Sequence, residues 1–140
     1  MKILLAYAMH YGTEYLEYSM RSLSQFVDGI AVVYTRVPSY GHQTTSACPD
    51  KENDLREIAD NFGAEWIRGE FMGESQHRSR YIEYAREHGY GVIIVSDYDE
   101  IWDSTSVMQT IAAASTGLAR TYTVPMLHFW KSFNHVCRDL

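Results

Sequence analysis

The chain has 140 residues, 46% of them hydrophobic and 21% charged, with a net charge of −6 at neutral pH. That suits one domain with one continuous core, and it excludes a general basic field for nucleic acid or anionic membrane. No apolar run approaches the roughly 18–20 residues of a membrane span, and Cys48 and Cys137 show no CxxC or Cys/His ligand spacing, so they read as free thiols of a cytoplasmic protein.

Residues 3–8 read as a buried strand; Tyr7 and His10 interrupt the opening apolar run, which argues against a secretory signal. The strand enters a turn at residues 9–13 with Gly12 as its flexible point, and Thr13 is placed to cap a helix carrying Leu16, Met20, Leu23 and Val27. Asp28-Gly29 ends that helix, and residues 30–34 form a second strand, completing a βαβ unit. Residues 36–49 lack periodicity and make a long loop at the carboxyl end of strand two. A helix opened by Pro49-Asp50 buries Leu55, Ile58, Ala59 and Phe62 and stops at Gly63; residues 64–67 are a third strand.

The helix over residues 74–88 has Tyr81, Ile82 and Ala85 as apolar positions and gathers Gln76, His77, Arg78 and Arg80 in its first two turns. Arginines there oppose the helix dipole, which either a bound anion or pairing with Glu83 and Glu87 on a solvated face would offset. Residues 92–95, four consecutive aliphatics, read as a strand buried on both faces, and Asp97, Asp99 and Glu100 crowd its carboxyl end. In extended backbone, positions i and i+2 point the same way, so Asp97 and Asp99 converge on one point, with oxygen donors suited to Mg²⁺ or Mn²⁺. A solvated acidic loop is the plainer alternative, but three carboxylates at the mouth of the most hydrophobic strand favour a cation site. Asp103 starts a further helix with Val107, Met108, Ile111 and Ala112 on its buried face, ended by Gly117. From residue 120 to 136 the pattern suggests two edge or antiparallel strands, in which His128 and His135 are either packed core residues or ligands to metal or phosphate.

Walker A, GxGxxG and GxSxG patterns are absent. What remains is a metal-held diphosphate, the chemistry of a sugar-nucleotide transferase; a phosphohydrolase or a module that binds a nucleotide sugar without turnover shares its ingredients.

The element order, with Glu74-Ser75-Gln76-His77-Arg78, then Asp97-Tyr98-Asp99-Glu100-Ile101, then Phe129-Trp130-Lys131, resembles the nucleotide-binding half of GT-A-fold glycosyltransferases. It is most similar to the β-1,4-mannosyl-glycoprotein N-acetylglucosaminyltransferase-like family, with the general family-two glycosyltransferases close behind. The resemblance implies a three-layer α/β sandwich with a mainly parallel sheet and a short antiparallel C-terminal part. It also implies a nucleotide-diphosphate sugar donor, a hydroxyl-bearing acceptor, and Mn²⁺ or Mg²⁺ held by Asp97 and Asp99, with Asp99 the direct ligand. Tyr7, Ala8, Met9 and His10 on strand one and Thr35 and Arg36 after strand two would border the nucleoside; Arg78, Arg80 and Asp97 would lie at the diphosphate. Glu100 would orient the sugar or the turn, and Glu100, His128 and Asp103 are the candidates for the base of an inverting transfer. The chain departs from the family in carrying Thr35 and Arg36 where many members hold the base with an acidic residue. It also has only about forty residues after Asp99, which implies a minimal acceptor half, a fragment or a compact variant. Phe129, Trp130 and Phe133 would serve as an acceptor platform or a homodimer contact.

Overall fold

The structure, a computed structural model, describes residues 1–37, 48–130 and 132–137, the last two stretches by backbone alone from residue 128 onward. Four strands, β1 (Ile3–Met9), β2 (Gly29–Thr35), β3 (Glu65–Gly69) and β4 (Val92–Val95), form one sheet in the order β3-β2-β1-β4, and every pairing is parallel. Between and after them come α1 (Leu16–Leu23), α2 (Glu52–Asn61), α3 (Glu74–Glu87) and α4 (Ser104–Ser115).

Alternation along β1 sorts the core into two layers. Leu5, Tyr7 and Met9 meet Leu16, Met20 and Leu23 of α1, Leu55 and Ala59 of α2 and Val107 of α4, whereas Leu4 and Ala6 meet Tyr81 and Ala85 of α3. Three helices therefore cover one face and α3 the other; right-handed crossovers put α1 and α2 on one side and α3 on the opposite side when the strand order reverses after β3, and α4, which makes no crossover, packs on the α1 side. Leu4, Leu5, Leu16, Met20, Leu23 and Leu55 are all fully buried, each contributing about 1.5–3 kcal/mol of transfer free energy. α2, α3 and α4 are followed by Gly63, Gly89 and Gly117 at positive φ, the left-handed residues that close their last turns.

Several local expectations are corrected. β4 is an edge strand rather than one buried on both faces: Val95 is 38% exposed, and among the described residues nothing pairs with its outer side. β1 and β2 are the buried central strands. α1 begins at Leu16 behind Tyr15, with no side-chain cap from Thr13. Met108 and Ala112 of α4 and Ile82 of α3 are exposed, leaving Val107 as the one fully buried residue of α4. The expected pair of antiparallel strands near the C-terminus is present as β5 (His128–Trp130) and β6 (Ser132–Cys137), but as a separate two-stranded ribbon; among the described residues the four-stranded sheet has no antiparallel member. Among the described residues no helix is long and apolar enough to cross a membrane.

Candidate functional site at the carboxyl edge of β1 and β4

The reversal of strand order falls between β1 and β4, the switch point at which open parallel sheets leave a crevice beyond their carboxyl ends. The acidic motif stands there. Its backbone is a turn, closed by the Glu100 N–H donating to the Asp97 carbonyl at 3.1 Å, so the extended-strand argument for Asp97 and Asp99 pointing alike does not apply. A hydrogen-bonded four-residue turn keeps the Cα atoms of its two ends, here Asp97 and Glu100, within about 7 Å, with Asp99 between them in the chain. Asp97 and Asp99 are both exposed.

The two sides of this turn differ. On the α3 side, the Arg78 guanidinium lies 3.8 Å from Asp97 and donates through Nε to Glu74 at 2.7 Å. Partial burial opposes the Arg78 charge, but the bond to Glu74 and the nearby Asp97 outweigh it and hold its pKa above the ordinary value. On the α1 side, Tyr98 packs over Gly12 so closely that a Cβ there would sit 2.3 Å from its ring, and it meets Tyr11 edge-on at 5.4 Å. Burial, the bond to Tyr11 and the charges of Asp99 and Asp97 all push the Tyr98 phenol upward. Tyr15, just before α1, is raised chiefly by its bond to Glu14 and the Glu14 charge, with Asp99 a lesser contributor.

Beneath the turn runs a polar network. Glu100 Oε2 accepts from the Asp97 N–H and the Ser96 hydroxyl, both at 3.1 Å, and Trp102 Nε1–H donates to Ser96 Oγ at 3.1 Å. Ser19 of α1 donates to the Asp97 carbonyl at 3.3 Å and shares a bond with the Tyr7 hydroxyl at 2.9 Å.

The β1–α1 loop has an anchor of its own. Asp50 Oδ2 accepts from the N–H groups of Gly12 (2.6 Å) and Thr13 (2.9 Å). Burial alone would raise the Asp50 pKa; the two backbone donors and the Thr13 hydroxyl overcome it and hold the carboxyl below its usual value.

The other sequence-predicted residues divide accordingly. Tyr7 and Met9 are fully buried, their side chains part of the core beneath the edge, and burial raises the Tyr7 phenol strongly. Ala8 is half-buried on the α3 side. His10 reaches the edge, its Nδ1–H donating to the Thr35 carbonyl at 2.8 Å, which leaves Nε2 as the acceptor of the neutral ring. Thr35 is fully buried, with its hydroxyl on the Val37 carbonyl at 2.9 Å, while Arg36 is exposed beside it. Arg80 pairs with Glu83 (3.2 Å) and Glu87 (3.8 Å) along α3, the pairing expected of a solvated face. Asp103 caps α4, accepting from the Ser106 N–H at 2.9 Å. The side chains of His128, Phe129, Trp130, Phe133 and His135, and residues 38–47 of the long loop, lie outside the described residues.

Among the described residues no three His, Cys, Asp or Glu side chains gather as a metal cage. Two carboxylates are nonetheless what Mg²⁺ or Mn²⁺ commonly takes from a protein when substrate phosphates and water complete its shell. A surface groove of about 320 Å³ lies elsewhere, between Glu17 and Arg21 of α1 and Ile58, Asn61 and Phe62 at the end of α2; none of these comes from a strand end. No protein-family model, curated protein or solved structure matches the chain.

Sequence reasoning missed Asp50, Ser19 and Trp102. Asp50 acts on a loop 37 and 38 residues away, which no local pattern announces. The Glu100 contact had a signal: an acidic residue three positions after Asp97, able to reach back to its N–H, is the spacing of a capping box.

Proposed function

We propose that the chain is a metal-dependent glycosyltransferase of the GT-A type, moving a sugar from a nucleotide-diphosphate donor to a hydroxyl acceptor. The observation that carries this reading is the pairing of an exposed acidic turn with a half-exposed arginine, Arg78 within 3.8 Å of Asp97, at the reversal of strand order. Asp97 and Asp99 supply hard oxygen donors, and Arg78 supplies a planar, permanently charged group suited to phosphate oxygens. A divalent cation bound there would neutralise charge developing on the leaving diphosphate. His10, oriented by its bond to Thr35, and Arg36 border the edge where the nucleoside would lie.

A second reading, a module that holds a nucleotide sugar without turnover, is favoured by one specific observation. Of the three base candidates, Glu100 and Asp103 spend a carboxylate oxygen on backbone N–H groups of their own turns. A phosphohydrolase is less well supported, since no third metal-ligating side chain joins the turn among the described residues.

Calorimetric titration of UDP, GDP and their sugars, with and without Mn²⁺, tests the proposal. Binding is expected to require the metal and to fall roughly 10–100-fold or more in Asp99→Ala, the range seen when metal sites lose a supporting group. Metal-independent binding, or an unchanged Asp99→Ala variant, would sink it. Release of free nucleotide on adding an acceptor panel separates the transferase from the binding module.

A further inference from the structure

We infer that Glu100 is a positioning residue that clamps the acidic turn, not a catalytic base or a metal ligand. It lies inside the Asp-x-Asp-Glu run, so its charge invites a role in the chemistry, but its contacts point the other way. One oxygen, Oε2, accepts from both the Asp97 N–H and the Ser96 hydroxyl at 3.1 Å, and Ser96 in turn accepts from the Trp102 indole. Ser96 is 1% exposed and Glu100 half-buried, so the network roots the turn at its buried end, whereas Asp97 and Asp99 are exposed. The same turn is held from its other side by Ser19, whose hydroxyl donates to the Asp97 carbonyl. Both backbone polar groups of Asp97 are thus tied down: its N–H by Glu100 and its C=O by Ser19 and by the N–H of Glu100. A carboxylate oxygen that accepts from the first N–H of its own turn and from the hydroxyl just before it sets geometry, and the Asp97 and Asp99 side chains are what that turn presents.

The geometry separates charge from reach, and two conservative variants separate them experimentally. Glu100→Gln keeps a carbonyl oxygen at the same distance, with two lone pairs for the two donors, but removes the charge. Glu100→Asp keeps the charge but withdraws the oxygens by one methylene. The readouts are hydrogen exchange of the Asp97 amide by NMR and the affinity for Mn²⁺ with UDP, beside Asp99→Ala. Glu100→Gln is expected to keep the Asp97 amide protected and to bind Mn²⁺–UDP within about threefold of the natural protein, under 1 kcal/mol. Glu100→Asp is expected to lose the protection and to weaken binding roughly 10–100-fold, as for residues that orient metal ligands.

The inference fails if Glu100→Gln abolishes binding as fully as Asp99→Ala while the amide stays protected, because Glu100 then acts through its charge on the ligand. It fails equally if Glu100→Asp leaves the amide protection unchanged. The cation half of the inference rests on the proposed function and the clamp half does not. If the natural protein takes up no Mn²⁺–UDP, the functional proposal falls and the amide comparison still decides the clamp.

Discussion

At 3% exposure, with its Nε2–H donated to the Val33 carbonyl at 2.6 Å and its ring stacked on Phe71, His77 is held neutral by burial, which lowers its pKa from 6.5. The unfolded chain takes up that proton near pH 6.5, so below this pH the unfolded state binds more protons than the folded one. Folding free energy is therefore expected to decline as pH drops from about 6.5 toward the lower folded value. Urea unfolding at a series of pH values measures the slope, which should be shallower in His77→Gln; an identical slope in the variant assigns the effect elsewhere. The sequence shows Gln76, His77, Arg78 and Arg80 as one polar cluster, and the helix phase divides it. His77 shares the spacing of Tyr81 and Ala85 and turns to the sheet, Arg78 turns to Asp97, Arg80 to Glu83 and Glu87, and Gln76 accepts from the Met72 N–H. Charge and composition cannot make that division; a period of four, read with His77 counted as a core residue, would have.

At the level of elements, α4 is the helix least secured by the core. Val107 is fully buried and Ile111 partly so, whereas Met108 is 54% exposed. Val107→Ala is expected to cost about 1–3 kcal/mol of unfolding free energy, and Met108→Ala to stay within about 0.5 kcal/mol. Equal costs in chemical denaturation would mean that α4 packs through a different face. Apolar spacing placed both residues on one stripe, because periodicity marks which side chains a helix can bury and not how wide its neighbour is. β1 and β2 were legible for a firmer reason: apart from Tyr7, Tyr34 and Thr35 they are runs of apolar residues, as strands covered on both faces tend to be. β4 carries the same signature and lies at the edge, since a four-residue aliphatic run cannot say whether it has one neighbour or two.

For the molecule as a whole, that edge matters. The N–H groups of Val92 and Ser96 donate toward β1, to the carbonyls of Lys2 and Ala6, so the peptide groups of Ile93 and Val95 face outward. Among the described residues nothing pairs with these groups, and an apolar edge of that kind is a template for pairing with another chain. Val95→Lys is expected to reduce light scattering on heating while changing stability by no more than about 0.5 kcal/mol. Unchanged scattering would place the association elsewhere. The βαβ start and the parallel pairing it requires were legible in the order of elements, but the anchoring of the β1–α1 loop was not, because it joins residues far apart in the chain. That anchor has a consequence for any phosphorylated ligand. In dinucleotide-binding folds the amides after the first strand greet the incoming pyrophosphate; here those of Gly12 and Thr13 already hold a permanent internal anion, Asp50. A phosphate arriving there would meet like charge, with both of those amides already engaged, so in the proposed transferase the diphosphate belongs on the other side of the acidic turn, beside Arg78.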